Sequence, residues 1–471
     1  MSKLTVFKLA ALTTLVASLV ACGSLAPDYQ RPAAPVPAQF PLATNANSAK
    51  AAVADLLWQT FFADARLQQL IQIALDNNRD LRVALLNVEQ AKTQVDSHNA
   101  DRWPTVYAGA GLSRGTASDG STGSTFTAGL SIPATLAYEV DLFGRLHSLS
   151  DAAFAQYLAT TQAGRAAQIS LVGAVASSYF ALQADSALLD LAQQTLATRD
   201  DSLKLIQLRF DQGASSQLDL SQAQSLLQAA RVSVAQSTRQ RLLDVNALNL
   251  LLGQAAPVAL TAAGTQAPVQ LAELPVGLSS EVLLRRPDVL QAEQQLLAAH
   301  ANIGAARAAF FPKIFLSTSV GSVSNQLEGL FKDGSFAWSI GPQLLLPIFD
   351  AGRNEANLAA AKAAREVAVA QYEKAIQSAF REVADALAGR ATLGEQYQAQ
   401  QAQTRSEAER ARLTELRFKN GASSYLEVLD AQRSLFAAQQ AELQLAALVQ
   451  QNLATLYRVL GGGWTPAQTT P

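Results

Sequence analysis

From Asp64 to Ala100 apolar residues recur at helical spacing, as at Leu67, Leu70, Ile71, Ala74 and Leu75, which predicts a helix. Trp103-Pro104 closes it, because the residue before a proline is pushed out of the helical region. The period then shortens to two, predicting strands over about 103–113 and 125–140. In the second of these Phe126, Ala128, Leu130, Ile132, Leu136 and Tyr138 share one face, and Thr127, Gly129, Ser131 and Thr135 share the other. The segment between them, 114–124, is built of Arg, Gly, Thr, Ala, Ser and Asp and reads as a polar hairpin tip. Helical spacing returns over about 145–212 without a proline, a run of roughly 100 Å at the α-helical rise. Gly213 breaks it, and about 216–252 forms a return helix.

The same order is written again 208 residues later. LRFDQGASS, from Leu208 to Ser216, becomes LRFKNGASS, from Leu416 to Ser424. Pro104 maps onto Pro312, Gly144-Arg145 onto Gly352-Arg353, and Leu252-Gly253 onto Leu460-Gly461, with no gap between these anchors. The second copy predicts a helix from Asp288 to Ala309, opened by Pro287 at a favourable first position. Strands follow over about 314–323 and 335–347, then a long helix over about 353–420 and a return helix over about 424–460. Two tandem copies of one unit are a domain duplication, not a solenoid. The organisation is therefore a leader (1–21), an N-terminal segment (22–63), a first repeat (64–253), a connector (254–286), a second repeat (287–461) and a tail (462–471). The fold class is mainly α with a smaller β-layer.

The predicted strands have the length a tilted strand needs to cross a bilayer. One face is apolar and the other small and polar. A soluble β-layer resting on the helices would also alternate. Two hairpins cannot close a barrel, and open edges do not persist in lipid. A spanning sheet would need several chains: two supply eight strands, three twelve, four sixteen. Eight strands would be filled rather than open; the alternation does not choose among them.

Composition narrows the function classes. With 36 Lys and Arg against 38 Asp and Glu, net charge −2, there is no basic excess for nucleic acid. Apolar residues make up 49% but aromatics only 7%, which suits long amphipathic helices. The chain's one cysteine is Cys22, so no internal disulfide can form. Lys3 and Lys8 precede an apolar run from Leu9 to Val20, and Leu19-Val20-Ala21-Cys22 follows. This stretch resembles a bacterial lipobox. The resemblance implies cleavage before Cys22, a diacylglyceryl and N-acyl lipid on it, and, with Gly23 next, the outer membrane. No other cofactor is expected. His98, His147 and His300 are too scattered for a metal site and read as exposed helix residues. No phosphate-binding loop or catalytic constellation is written, so the chain reads as a passive protein, not an enzyme, with energy supplied by a partner. Beyond the leader there is no Met or second Cys to offer a soft metal ion.

Several stretches in fixed order resemble the TolC-like outer-membrane efflux proteins, in the lipidated (NodT-type) branch serving resistance–nodulation–division pumps. They are Pro27-Asp28-Tyr29-Gln30-Arg31-Pro32 after Cys22, Leu57-Trp58-Gln59-Thr60-Phe61-Phe62, Arg285-Arg286-Pro287-Asp288, the run from Ala305 to Pro312, and the run from Gly421 to Arg433. The resemblance covers nearly the whole chain after the leader. It implies a homotrimer with a twelve-stranded outer-membrane barrel and a twelve-helix periplasmic tube. It also implies a periplasmic adaptor and an inner-membrane pump as partners, and export of drugs and other small molecules. A type I protein-secretion duct of the same fold and a non-spanning periplasmic helical scaffold are the competing readings.

On this resemblance the doubled turn is the periplasmic tip of the tube. Gly213 and Gly421 fit the left-handed position past a helix end. Ser216 with Asp219 and Ser424 with Glu427 match capping boxes that restart the helix. The resemblance assigns Arg209 and Arg417 to the adaptor-docking surface; plain charge–dipole stabilisation at a helix C-terminus explains them equally. Ser423, Glu427, Asp430 and Ser434 lie in one arc of the last helix. Repeated by symmetry, Asp430, and Glu427 with it, would form acidic rings at a constriction. Asp219 and Glu427 are also explained by capping, and Asp430 by simple exposure. Where the TolC prototype has a gate arginine after the tip glycine, this chain has Ser423, which argues against a salt-bridge lock there.

Overall fold

The computed structural model describes residues 24–41, 57–118, 124–261 and 279–462. The leader, Cys22 and the end of the tail lie outside the described residues. Helices are α1 (Trp58–Phe61), α2 (Ala65–Asn77), α3 (Arg79–Ala100), α4 (Arg145–Asp211), α5 (Gln217–Leu252), α6 (Val258–Thr261), α7 (Pro287–Ala308), α8 (Arg353–Lys419) and α9 (Tyr425–Val459). Strands are β1 (Thr105–Ala108), β2 (Gly111–Ser118), β3 (Ser124–Val140), β4 (Lys313–Ser324) and β5 (Phe336–Leu345). The chain divides into two compact units. One holds Met1–Ala33, Asn87–Thr161 and Gln291–Glu373; the other holds Ala34–Leu86, Gln162–Leu290 and Lys374–Pro471.

The first unit carries the sheet. All its pairs are antiparallel; β3 and β4 lie at the centre, β1 and β2 both pair with β3, and β5 pairs with β4. β1 and β2 keep one register on β3 and are separated at Gly109-Ala110, opposite Pro133 and Ile132. Pro133 has no N–H to give, and only its carbonyl is used, accepting from Gly109 N at 3.0 Å. The first predicted strand is thus one strand interrupted by its partner's proline. Register puts Leu136 beside Val106 and Thr318, Thr318 beside Ile340, and Val320 between Ala134 and Trp338. Val106, Ile132, Val320, Phe336, Trp338, Ile340 and Leu344 are exposed on this apolar face. Ser317, Ser319, Ser339 and Gln343 occupy the other.

The same unit anchors the N-terminal strap. Arg31 is paired with Glu293 through both guanidinium and carboxylate forks, Arg307 donates to the Leu25 carbonyl at 2.9 Å, and Ser24 Oγ meets Ser148 Oγ at 2.9 Å. Gly304 opens the groove for it: a Cβ there would lie 2.8 Å from Ala26 N. His300 is not the exposed helix residue its spacing suggested. It is buried, with Nε2 2.5 Å from the Pro27 carbonyl and its ring edge-on to Tyr29.

The second unit holds the return helices. The helix expected unbroken over 64–100 is interrupted at Asn78. That residue leaves the helical region, donates Nδ2 to the Leu251 carbonyl at 2.8 Å and accepts from Leu81 N at 2.8 Å. Gly253, at φ +67°, makes room: a Cβ there would stand 2.3 Å from the Asn77 carbonyl oxygen. The joint between α2 and α3 is bound to the end of α5. Among the described residues no helix is long and apolar enough to cross a membrane.

Candidate functional site: the two glycine turns

Both turns are built alike. Gly213 (φ +73°) and Gly421 (φ +74°) follow the long helices, and Ala214 N and Ala422 N donate back to the Arg209 and Arg417 carbonyls at 2.7 and 2.9 Å. This closes the orphan carbonyls of a helix end. Each return helix then starts with a full capping box, Ser216–Asp219 and Ser424–Glu427. A further serine joins each box: Ser215 donates to Asp219 at 3.1 Å and Ser423 to Glu427 at 2.9 Å. The Ser216 hydroxyl, with the Ser216 N–H and Ser215, holds the Asp219 carboxyl below its ordinary value despite partial burial. Ser423, then the N–H and hydroxyl of Ser424, do the same for Glu427. Since both folded-state values are depressed, these caps are complete above the ordinary carboxylate pKa and are lost as pH falls through the lowered values.

The two turns are joined by one apolar cluster: Ile206, Leu220, Ala223, Leu226, Tyr425, Val428 and Leu429, with Leu203, Phe210 and Phe418 against it. The paired arginines then part ways. Arg209 lies over the Phe418 ring, 4.7 Å from its centroid, a cation–π contact between the copies. Arg417 bonds the Ala422 carbonyl of its own turn at 3.1 Å. Asp430 is exposed and meets Arg410 of α8 at 3.5 Å; Arg410 also reaches Glu407 at 2.8 Å. So Glu427 and Ser423 sit together in one cap and Asp219 in the other, while Asp430 belongs to a separate ion-paired triad.

Two features of these hairpins escaped the sequence reading. Arg199 of α4 is buried within electrostatic reach of Tyr425 and Arg433, with Nη1 lacking a hydrogen-bond partner, and burial lowers its pKa. Asp185 of α4 faces Asp244 of α5: burial, then the hydrogen bond and charge of Asp244, pushes the Asp185 carboxyl up to about 7. The folded state therefore holds a proton that the unfolded chain releases. Stability from this pair is full below the ordinary value of 3.8 and is lost as pH rises to about 7. The second copy supplies a natural comparison, Leu393 and Asn452 at the equivalent positions, where Asn452 donates to the Ala386 carbonyl at 3.2 Å. An Asp244→Asn variant is expected to melt higher than wild type at pH 8 and to flatten the pH dependence of the melting temperature. Parallel wild-type and variant curves across that range would refute the assignment.

The duplicated architecture has close relatives. The sequence profile of the outer membrane efflux protein family matches twice, over residues 70–254 and 278–462. The chain belongs to the outer membrane efflux protein family. Among members of this family it is 44% identical to the solvent efflux pump outer membrane protein SrpC of Pseudomonas putida, over 94% of this chain and 96% of that one. It is 43% identical to the cation efflux system protein CusC of Escherichia coli O157:H7, over 95% and 97% of the two chains. The open-state structure of the Neisseria gonorrhoeae MtrE outer membrane channel superposes with a TM-score of 0.81 at 37% identity, covering 94% of this chain and 98% of that one. This family member is an outer-membrane channel of an efflux pump, with the helical tube and β-barrel fold of its neighbours. Channels of this family act with an adaptor and an inner-membrane pump.

Proposed function

We propose that three copies of this chain form one passive exit duct, anchored through lipid on Cys22, with the glycine turns as its periplasmic mouth. The supporting observation is the sheet. Its outer strands, β1 with β2 on one side and β5 on the other, have no further partner among the described residues, and one face is apolar and exposed. Such edges cannot stand in lipid; identical neighbours pairing β5 to β1 would remove them. Drug- or solvent-type cargo agrees with the solvent-pump relative, and the cation-system relative leaves small charged cargo as the competing reading. Detergent-extracted protein should migrate as a heat-modifiable species with the mass of three chains and form conducting channels in planar bilayers. A monomer without conductance overturns the proposal.

Within that duct Asp430 forms an acidic ring moderated by Arg410, while Arg209 and Arg417 shape the surface that meets the adaptor. Asp430→Ala should lower cation selectivity in single-channel recordings, and Arg410→Ala should raise it, because the acid loses its counter-charge. Unchanged selectivity in both variants removes the ring from the account.

A further inference from the structure

The junction between α3 and β1 holds a cavity of ≈ 580 Å³ lined by Asn99, Arg102, Trp103, Pro104 and Tyr138. Its place is defined by what flanks it. Tyr138 is on the apolar face of β3, in line with Leu136 and Ile132, at the end of the strand nearest the helices. Among the described residues no helix is long and apolar enough to cross the bilayer, whereas the exposed apolar face of the sheet suits it. The cavity therefore lies where hydrocarbon gives way to headgroups on the helical side. Trp103 is 73% exposed there, and an indole beside a tyrosine is the side-chain pair that settles at the headgroup level.

Arg102 supplies the charge. Neither acid adjoining it in the sequence or on β3 pairs with it: Asp101 lies 3.5 Å from the His98 ring, and Glu139 is paired with Arg145 at 2.7 Å. Among the described residues the Arg102 guanidinium has no hydrogen-bond or ion-pair partner. Asn99 Oδ1 is also occupied, accepting from Ser150 at 2.6 Å, which leaves its amide nitrogen as the group able to donate. A guanidinium with no partner among the described residues of its own chain, an amide donor, an indole and a phenol ring thus line one hollow beside the apolar face of the sheet. Guanidinium is suited to two-point recognition of phosphate, and a cavity of this size accommodates a headgroup with the start of its chains.

We propose that this cavity is a binding site for the headgroup phosphate of a glycerophospholipid, with Arg102 as the phosphate ligand and Trp103 and Tyr138 flanking the glycerol and first methylenes. The inference rests on the sheet lying in the membrane, not on gating or cargo. The test uses the full-length assembled protein in detergent and native mass spectrometry, with dioleoyl-phosphatidylglycerol, dioleoylglycerol and inorganic phosphate as probes. Phosphatidylglycerol should bind the wild type about tenfold more tightly than the phosphate-free dioleoylglycerol, and Arg102→Gln should erase that difference. Arg102→Lys should restore part of it, and excess inorganic phosphate should not displace the lipid. Unaltered lipid binding by Arg102→Gln overturns the site. Equal binding of dioleoylglycerol, or full displacement by inorganic phosphate, overturns the phospholipid assignment. Heat-modifiable migration of each variant establishes assembly first, and its loss in the wild type would strike the proposed duct instead.

Discussion

Arg286→Met is expected to lower the unfolding free energy by about 3–5 kcal/mol, while Arg285→Met one residue earlier stays within about 0.5 kcal/mol of wild type. The difference follows from partners. Arg286 is 6% exposed. Its Nε donates to Asp288 at 2.9 Å and its Nη2 to Asp288 at 2.5 Å and Glu382 at 2.9 Å, while Nη1 donates to the Val459 carbonyl at 2.8 Å. One side chain thus ties the start of α7, the middle of α8 and the end of α9. Methionine fills much of the volume but leaves the buried Val459 carbonyl and the Glu382 carboxylate without this donor, and Asp288 with only the Val289 N–H at 3.0 Å. Stranding those groups costs more than the arginine's own contacts were worth. A loss on that scale is a large share of an ordinary domain's stability. Arg285 is exposed and makes none of these bonds. Thermal melts of the helical circular-dichroism signal in detergent would separate the two variants; coincident melts would show that the Arg286 cluster does not hold the three helices together.

The Arg285-Arg286 pair shows where the sequence is readable and where it stops. A repeated glycine followed by serine and an acid three residues on is a local code, and the turns at Gly213 and Gly421 answer it because no bond they need joins residues more than five apart. Strand faces are equally legible, since alternation at Leu130, Ile132, Leu136 and Tyr138 is a local property that the register with β4 then extends. Which of two adjacent arginines is buried depends on Glu382 and Val459, far along the chain. The break at Asn78 depends on the end of α5, and the interruption between β1 and β2 on a proline in the opposite strand. Asp430 was legible as a polar position on its helix, but its contact with Arg410 was not, because the two meet only once α8 and α9 lie side by side. His300 was misjudged for the same reason: its partner is an N-terminal strap whose path no periodicity records.

Gly321→Val is expected to abolish assembly of the channel, whereas Gly341→Ala in the adjacent strand should assemble as wild type. Neither glycine has a left-handed backbone, so conformational freedom is not the reason. Space is. A Cβ at Gly321 would stand 2.2 Å from the Ile132 carbonyl oxygen and 2.8 Å from the Pro133 Cα. Those are backbone atoms of β3, which cannot turn aside as a side chain tip could. At Gly341 the nearest atom is the Ser317 hydroxyl at 3.6 Å, an ordinary contact. The site of the clash makes it severe, because β3–β4 is the pairing that joins the first copy's strands to the second's. It has little to spare there, since Pro133 already interrupts the ladder towards β1 and β2. Forcing β4 away from β3 would leave N–H and C=O groups unpaired inside lipid, at several kcal/mol each. The prediction is read as loss of the heat-modifiable species from outer-membrane fractions for Gly321→Val, with normal recovery for Gly341→Ala. Equal recovery of the two would mean that β3 and β4 do not approach this closely in the membrane.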